Sequence, residues 1–361
     1  MYSHLKFIEN PSTQVNSWGD LHEAVNQNYQ YSTRDLPLNE IKLNDEGLIQ
    51  FGGDSKNITQ EGFQHFCKLL KIPDPFAEYI PFDLLQRNIE RIGNERASEN
   101  VTLHFKGNME HLVNITNENY VPVPYTEILP ALQEKTPEIT RAIINDVDCH
   151  IDTVNPELEE FLSSIEPEVG DITKIGFNYN LTPLGFHTTQ ANLFLYRLVC
   201  ENGMIAPRNW GFARMRTKLS RPALTSIHGF LNQLDGLNSK AQEFEVLLKK
   251  MVKNNFNMST AVKSWQKLSK IVDGADLADN FFGWPGQDRE GYVFQEKERK
   301  KGIKENPLAP VPDPEPIPYN YYEVYNNITD QAKQYEQKVR RELEMFAGQL
   351  VDSMGNIDKW N

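Results

Sequence analysis

The sequence predicts an α+β fold: a central, mainly antiparallel sheet flanked by helices, then a proline-rich spacer and a C-terminal amphipathic helix. Three observations predict it. Apolar residues recur at helical spacing through 58–92, switch to strand-like alternation between 101 and 200, and return to helical spacing after 220. The strands are grouped rather than alternated with helices, which is the α+β pattern. Residues 302–318 then carry Pro307, Pro310, Pro312, Pro314, Pro316 and Pro318, a spacing that extends a chain instead of packing it.

Residues 1–57 are polar and rich in asparagine, and their short apolar pieces, such as LIQF (48–51), run straight into Gly52 and Gly53. They read as a loosely structured arm with one hairpin. The main α+β domain is expected over 58–301. Its first helix, 58–72, has Thr59 as N-cap and Phe63, Phe66, Leu69 and Leu70 at helical spacing, with Pro73 and Pro75 to stop it. A second helix, 81–92, has Pro81 in its first turn and Leu84, Leu85, Ile89 and Ile92 along one side. The segments 101–106 and 111–116 read as a hairpin around Gly107-Asn108. A short helix follows at 125–135, interrupted by Pro130. Residues 142–154 alternate apolar and charged positions and read as one half-buried strand.

Two further strands are expected at 174–185 and 192–200, joined by a Pro-Leu-Gly turn. Asn202-Gly203 is expected to end the second one sharply. Three helices follow after 220. Beyond them lie the spacer, 302–328, and a tethered helix, 329–361. That helix carries Ala332, Tyr335, Val339, Leu343 and Phe346 on one stripe.

The chain has 361 residues, enough for one large domain or two smaller ones, and 39% of them are apolar. Its net charge is −13. Such a surface repels bulk nucleic acid and anionic membrane, so binding to either requires a local patch. Cys67, Cys149 and Cys200 are too few and too far apart for a disulfide framework or a zinc motif, which fits reduced thiols. No apolar run approaches a bilayer span, and the first residues lack the apolar stretch of a signal peptide. A soluble cytoplasmic protein without membrane contact is expected.

The local patch exists. Residues 194–221 hold Arg197, Arg208, Arg214, Arg216, Lys218 and Arg221 against a single acid, Glu201, with Tyr196, Trp210 and Phe212 interleaved. Phosphates need cations, and bases need aromatic faces to stack on. Arg214, Arg216 and Lys218 alternate, so an extended backbone projects them to one side. The plainer reading is a solvated loop whose arginines pair with nearby carboxylates.

A second constellation is DVDCHID (146–152), where Asp146, Asp148, His150 and Asp152 share one face of the expected strand. Such ligands suit a divalent ion, and a metal would permit nuclease chemistry. Neighbours two apart on a strand lie about 6.5–7 Å from each other, so one strand rarely completes a site. A wet sheet face is the favoured reading. His187 or His228 as partner to a nucleophilic Cys200 has no sequence support, and Cys200 ends an apolar strand. Walker-type, GxGxxG, HExxH, CxxC and GxSxG motifs are missing, and no cofactor is expected.

Three stretches carry a family resemblance: ITQEGFQHFCKLLKIPDPFAEYIPFDLLQRNIER (58–91), NENYVPVPYTEILPAL (117–132) and GFNYNLTPLGFHTTQANLFLYRLVCENGMI (176–205). In order and content they resemble the phage/plasmid-like proteins of domain-of-unknown-function family 932, which includes LtrC-like plasmid proteins. The resemblance covers roughly residues 55–270. It implies a bacteriophage or plasmid context and carries no catalytic residues. The expected function is therefore a DNA-associated accessory protein that binds single-stranded DNA through the basic strip in replication or recombination. Two alternatives remain open: a structural protein that assembles with itself or a partner through 329–350, and a metal-dependent nuclease using Asp146, Asp148 and His150.

Overall fold

Capping residues, prolines and glycines set where the elements begin and end. The computed structural model describes residues 4–107, 109–120, 122–154, 173–197, 202–205, 212–214, 229–234, 249–274, 297–298, 301 and 316–353. The fold is α+β, with several mostly antiparallel sheets. Two compact units divide the chain: Met1–Thr153, Tyr179–Ala191 and Ala213–Gln233 form the first, and the remaining residues form the second.

In the first unit, β1 (Phe7–Ile8) and β2 (Thr13–Val15) precede α1 (Trp18–Asn28). Ser17 caps α1, accepting from Asp20 N at 3.1 Å, and Trp18, Leu21 and Val25 are its buried face. Strands β3 (Ser32–Pro37), β4 (Lys42–Leu43), β5 (Ile49–Phe51), β6 (Asp54–Lys56) and β7 (Ile58–Thr59) follow. Residues 4–57 are therefore built into the unit, contrary to the loose arm expected. β1 pairs with β7, β3 pairs with the later strand Asn100–Lys106, and β4, β5 and β6 form a small sheet of their own. Leu38, Ile41, Leu43, Ile49 and Phe51 belong to one core cluster with Phe63, Phe66 and Leu103. The apolar residues of this segment are sparse in sequence, but long-range pairing gathers them.

Thr59 turns β7 into α2 (Gln60–Leu69): its hydroxyl accepts from Gly62 N at 3.0 Å and donates to Val113 O at 2.8 Å. Pro73 caps a further short helix, α3 (Asp74–Tyr79), and Pro81 starts α4 (Phe82–Glu95). Leu85 and Ile89 of α4 are buried, while Leu84, assigned to the same side from spacing, is 44% exposed. The hairpin β8 (Asn100–Lys106) and β9 (His111–Asn117) matches the expected one, with Gly107 at φ +63° in its turn. The five-stranded sheet runs β1-β7-β9-β8-β3. A register shift at His104/Phe105 bulges the hairpin. Helix α5 (Tyr125–Lys135) tolerates Pro130 inside it.

The single strand expected over 142–154 is two strands, β10 (Glu138–Ile144) and β11 (Cys149–Val154). Asn145 makes the break. Its side-chain oxygen accepts from Val147 N at 2.8 Å and Asp148 N at 2.9 Å, and its own N–H donates to Asp148 O at 3.0 Å. A short polar side chain that folds back on its backbone outcompetes strand alternation here.

Strands β12 (Thr173–Leu181) and β13 (Gln190–Arg197) are those read from sequence, with Gly185 at φ +72° in the turn between them. In the second unit, β13 pairs antiparallel with β14 (Asn202–Ile205), Arg197 opposite Asn202 and Tyr196 opposite Gly203. Asn202-Gly203 is thus the start of a strand, not the sharp end of one.

The same unit pairs Asn255–Asn257 with Pro316–Asn320. Pro316 and Pro318 therefore lie in a strand, while Pro307, Pro310, Pro312 and Pro314 fall outside the described residues. Asn320 then opens the helix Tyr321–Ala332 through a capping box: it accepts from Glu323 N at 2.8 Å, and Glu323 accepts from Asn320 N at 2.7 Å. The spacer expected to reach 328 ends here. The expected C-terminal helix is also interrupted. Tight turns from Asp330 to Tyr335 separate Tyr321–Ala332 from the last helix, Gln337–Ser353. That last helix packs on β14, on Tyr321–Ala332 and on the helix Met258–Ile271, with Leu343, Phe346, Ala347 and Leu350 buried.

Candidate functional site

Arg197 closes β13, and a further strand, β15 (Phe212–Arg214), pairs with the same β13. The basic run therefore borders β13 at Arg197 and again at Phe212–Arg214. Tyr196 stands two positions from Phe194 on the same face, their rings stacked at 6.3 Å and 30°. Phe194 is buried and Tyr196 half-buried, so the tyrosine ring sits at the edge of an apolar floor. Arg208, Trp210, Arg216, Lys218 and Arg221 lie outside the described residues, as do the side chains of Arg197, Phe212 and Arg214.

The acidic constellation comes apart. Asp146 and Asp148 belong to the Asn145 turn rather than to a strand face. Asp146 pairs with Lys106, whose ammonium also reaches Asn28 Oδ1 at 2.9 Å. Asp148 lies 3.2 Å from His150 Nε2, and Asp152 takes Arg141 at 2.9 and 2.5 Å. Among the described residues no group of three or more histidine, cysteine, aspartate or glutamate side chains is placed to hold a metal ion. The three carboxylates each have a partner, Asp148's being His150 of the same stretch. Cys67 and Cys149 are buried and outside any disulfide, and burial pushes the Cys149 thiol far up, which disfavours the thiolate. Cys200 and His228 are outside the described residues. Among the described residues no helix is long and apolar enough to cross a membrane.

The first unit holds two features that the sequence did not announce. One is a buried layer of polar aromatics. Tyr29 and Tyr125 rings lie 5.1 Å apart, Tyr29 stacks on Tyr31 at 6.2 Å, and His104 meets Tyr31 and Tyr120 edge-on at 6.4 and 6.3 Å. His104 Nε2 is 2.8 Å from Thr116 Oγ1, while its Nδ1 finds no partner. Burial drives the His104 pKa down to about 4; Asp35 opposes this and His65 adds to it. The same burial raises the phenols of Tyr29, Tyr31, Tyr120 and Tyr125.

The other is a cleft of about 670 Å³ where the C-terminal end of α2 faces the open end of the β8–β9 hairpin. His65, Lys68 and Leu69 face it from one side of α2, being three and four residues apart, and Lys71 follows with φ +60°. Asn100 and Asn117 come from the adjacent ends of β8 and β9, and Asn119 from the turn after β9. Ile115 supplies apolar floor. Arg96 forms one wall and is committed there, donating to Glu99 at 2.8 and 2.6 Å and to Leu69 O at 2.8 Å. No sequence motif marks this cleft, because three separate segments supply it.

Comparison with family models, with curated proteins and with solved structures finds no match to this chain.

Proposed function

We propose that the chain is a phage- or plasmid-encoded accessory protein that binds single-stranded DNA through residues 197–221, in annealing or replication, without a reaction of its own. The observation that carries this reading is charge asymmetry: six cations against one acid within 194–221 of a chain of net charge −13. Arg197, Arg208, Arg214, Arg216, Lys218 and Arg221 take phosphates as point contacts, and Tyr196, Trp210 or Phe212 offer faces on which bases stack. The pairing of β15 with β13, the strand that Arg197 closes, supports it, since it brings two separate parts of the basic run to one strand. The acidic remainder limits binding to duplex DNA. The resemblance to family 932 supplies the mobile-element context. Assembly through 329–350 has less support, because Leu343, Phe346 and Leu350 are already buried within the second unit.

Fluorescence anisotropy of labelled single-stranded DNA over a salt series, beside duplex DNA and RNA, tests the proposal. The slope of log affinity against log salt should shrink by about 1.4 in Arg214→Ala/Arg216→Ala, the share of two phosphate contacts. An absence of binding at low salt, or a variant that binds as wild type, rejects it.

A further inference from the structure

We propose that the cleft between α2 and the open end of the β8–β9 hairpin binds a nucleoside 5′-phosphate. The site shares no residue with the basic strip, and the proposal does not rest on it. Its volume, about 670 Å³, lies in the range of small-ligand sites. Its charges favour a phosphate. The lining carries three cations, Lys68, Lys71 and Arg96, against two acids, Glu99 and Glu118, in a chain that is otherwise acidic. Lysine takes phosphate as a point charge from an exposed position.

The remaining lining favours a heterocycle over a bare anion. Among the described residues, the side chains of Lys71, Ser98, Asn100, Asn117 and Asn119 meet no hydrogen-bond or ion-pair partner. Three asparagine amides each offer a donor and an acceptor on one plane, which is what the edge of a base requires. His65 adds an acceptor. Asn114 Oδ1 already accepts from Ile115 N at 2.8 Å and lies 3.0 Å from His65 Nδ1. That nitrogen must therefore be the donor, and Nε2, which has no partner among the described residues, is left with its lone pair. The ring stays neutral at ordinary pH because burial lowers its pKa. Leu69 and Ile115 give the base an apolar surface. The plainer reading of Lys68, a cation in the last turn of a helix, explains one lysine. It does not explain three unpaired amides and a neutral imidazole facing the same cavity.

Isothermal titration calorimetry of the full chain with AMP, adenosine and inorganic phosphate tests the site. AMP should bind, with adenosine and phosphate each weaker by about tenfold or more, the value of one lost charged contact. Lys68→Ala/Lys71→Ala should weaken AMP by at least that factor while lowering the melting temperature only slightly, since both side chains are exposed. His65→Gln should weaken AMP but not phosphate. No heat with millimolar AMP, AMP binding unaltered in the double lysine variant, or phosphate binding as tight as AMP each overturns the proposal. A 5′-phosphorylated dinucleotide separates two sources of the same group. Tighter binding than AMP supports the site as a seat for a strand end, and equal or weaker binding supports it as a site for the free nucleotide. Arg214→Ala/Arg216→Ala should keep full AMP affinity, so failure of the strip and failure of the cleft are read separately.

Discussion

Single residues fix how closely elements approach. A Cβ on Gly62 would sit 2.1 Å from Val113 O and 2.9 Å from Thr59 Oγ1. The glycine therefore lets the first turn of α2 lie against the β9 backbone. Gly62→Ala should cost ~1–3 kcal/mol through overpacking, read as a lower urea midpoint; an unchanged midpoint would mean that the contact relaxes freely. His104 sets an acid limit. An unfolded imidazole titrates near ~6.5, and the folded one at about 4. Between these values the unfolded chain binds the extra proton, so stability is full above the upper value and is lost as pH falls toward the lower. The loss attributable to His104 is about 3 kcal/mol. Denaturant midpoints measured from neutral pH down to mild acid should show that decline. His104→Gln, which keeps a polar contact for Thr116, should flatten it, and a decline of equal size in the variant would move the cause elsewhere, His65 included. Neither glycine packing nor histidine burial is legible in sequence, since both depend on what the fold brings opposite them.

Elements were legible where local chemistry and tertiary packing agree. Thr59 with Phe63 and Phe66, Pro81 with Leu85 and Ile89, and the Gly107 hairpin are each marked by capping, proline or glycine next to a regular apolar period, and the structure keeps them. Two further helix starts carry the same kind of mark: Ser17 ahead of Trp18, Leu21 and Val25, and the Asn320-to-Glu323 capping box. Where period and turn chemistry conflict, the turn wins. Residues 142–154 alternate, yet Asn145 folds the chain into β10 and β11 and turns a supposed metal face into separate ion pairs. Asn145→Ala should therefore remove both side-chain acceptances and cost about 1–3 kcal/mol, whereas Asn145→Asp, which retains an acceptor oxygen, should cost much less. Equal urea midpoints for the two variants would show that the strands, not the turn residue, hold the hairpin. The cleft was illegible for another reason: α2, the segment before β8 and the end of β9 each contribute ordinary surface residues that become a site only together.

At the scale of the whole molecule, the C-terminal residues decide between two roles. An amphipathic helix on a proline tether reads as a device for reaching a partner. Gln337–Ser353 instead spends its apolar face on its own unit: Leu343, Phe346 and Leu350 are buried, and Glu344, almost fully buried, holds Arg340 at 3.0 Å one turn away. Burying three such side chains stabilises by about 5–9 kcal/mol, which is comparable to the whole stability of a typical domain, ~5–15 kcal/mol. Deleting residues 337–361 should then unfold the second unit, exposing Tyr321–Ala332 and Met258–Ile271 to rapid proteolysis and raising binding of an apolar dye. A helix held in reserve for assembly predicts the opposite: the truncated chain would keep its urea midpoint and protease resistance and lose only mass in sedimentation. The two results cannot coincide, because a side chain buried at home is not available abroad without the cost of exposing the surface it covers.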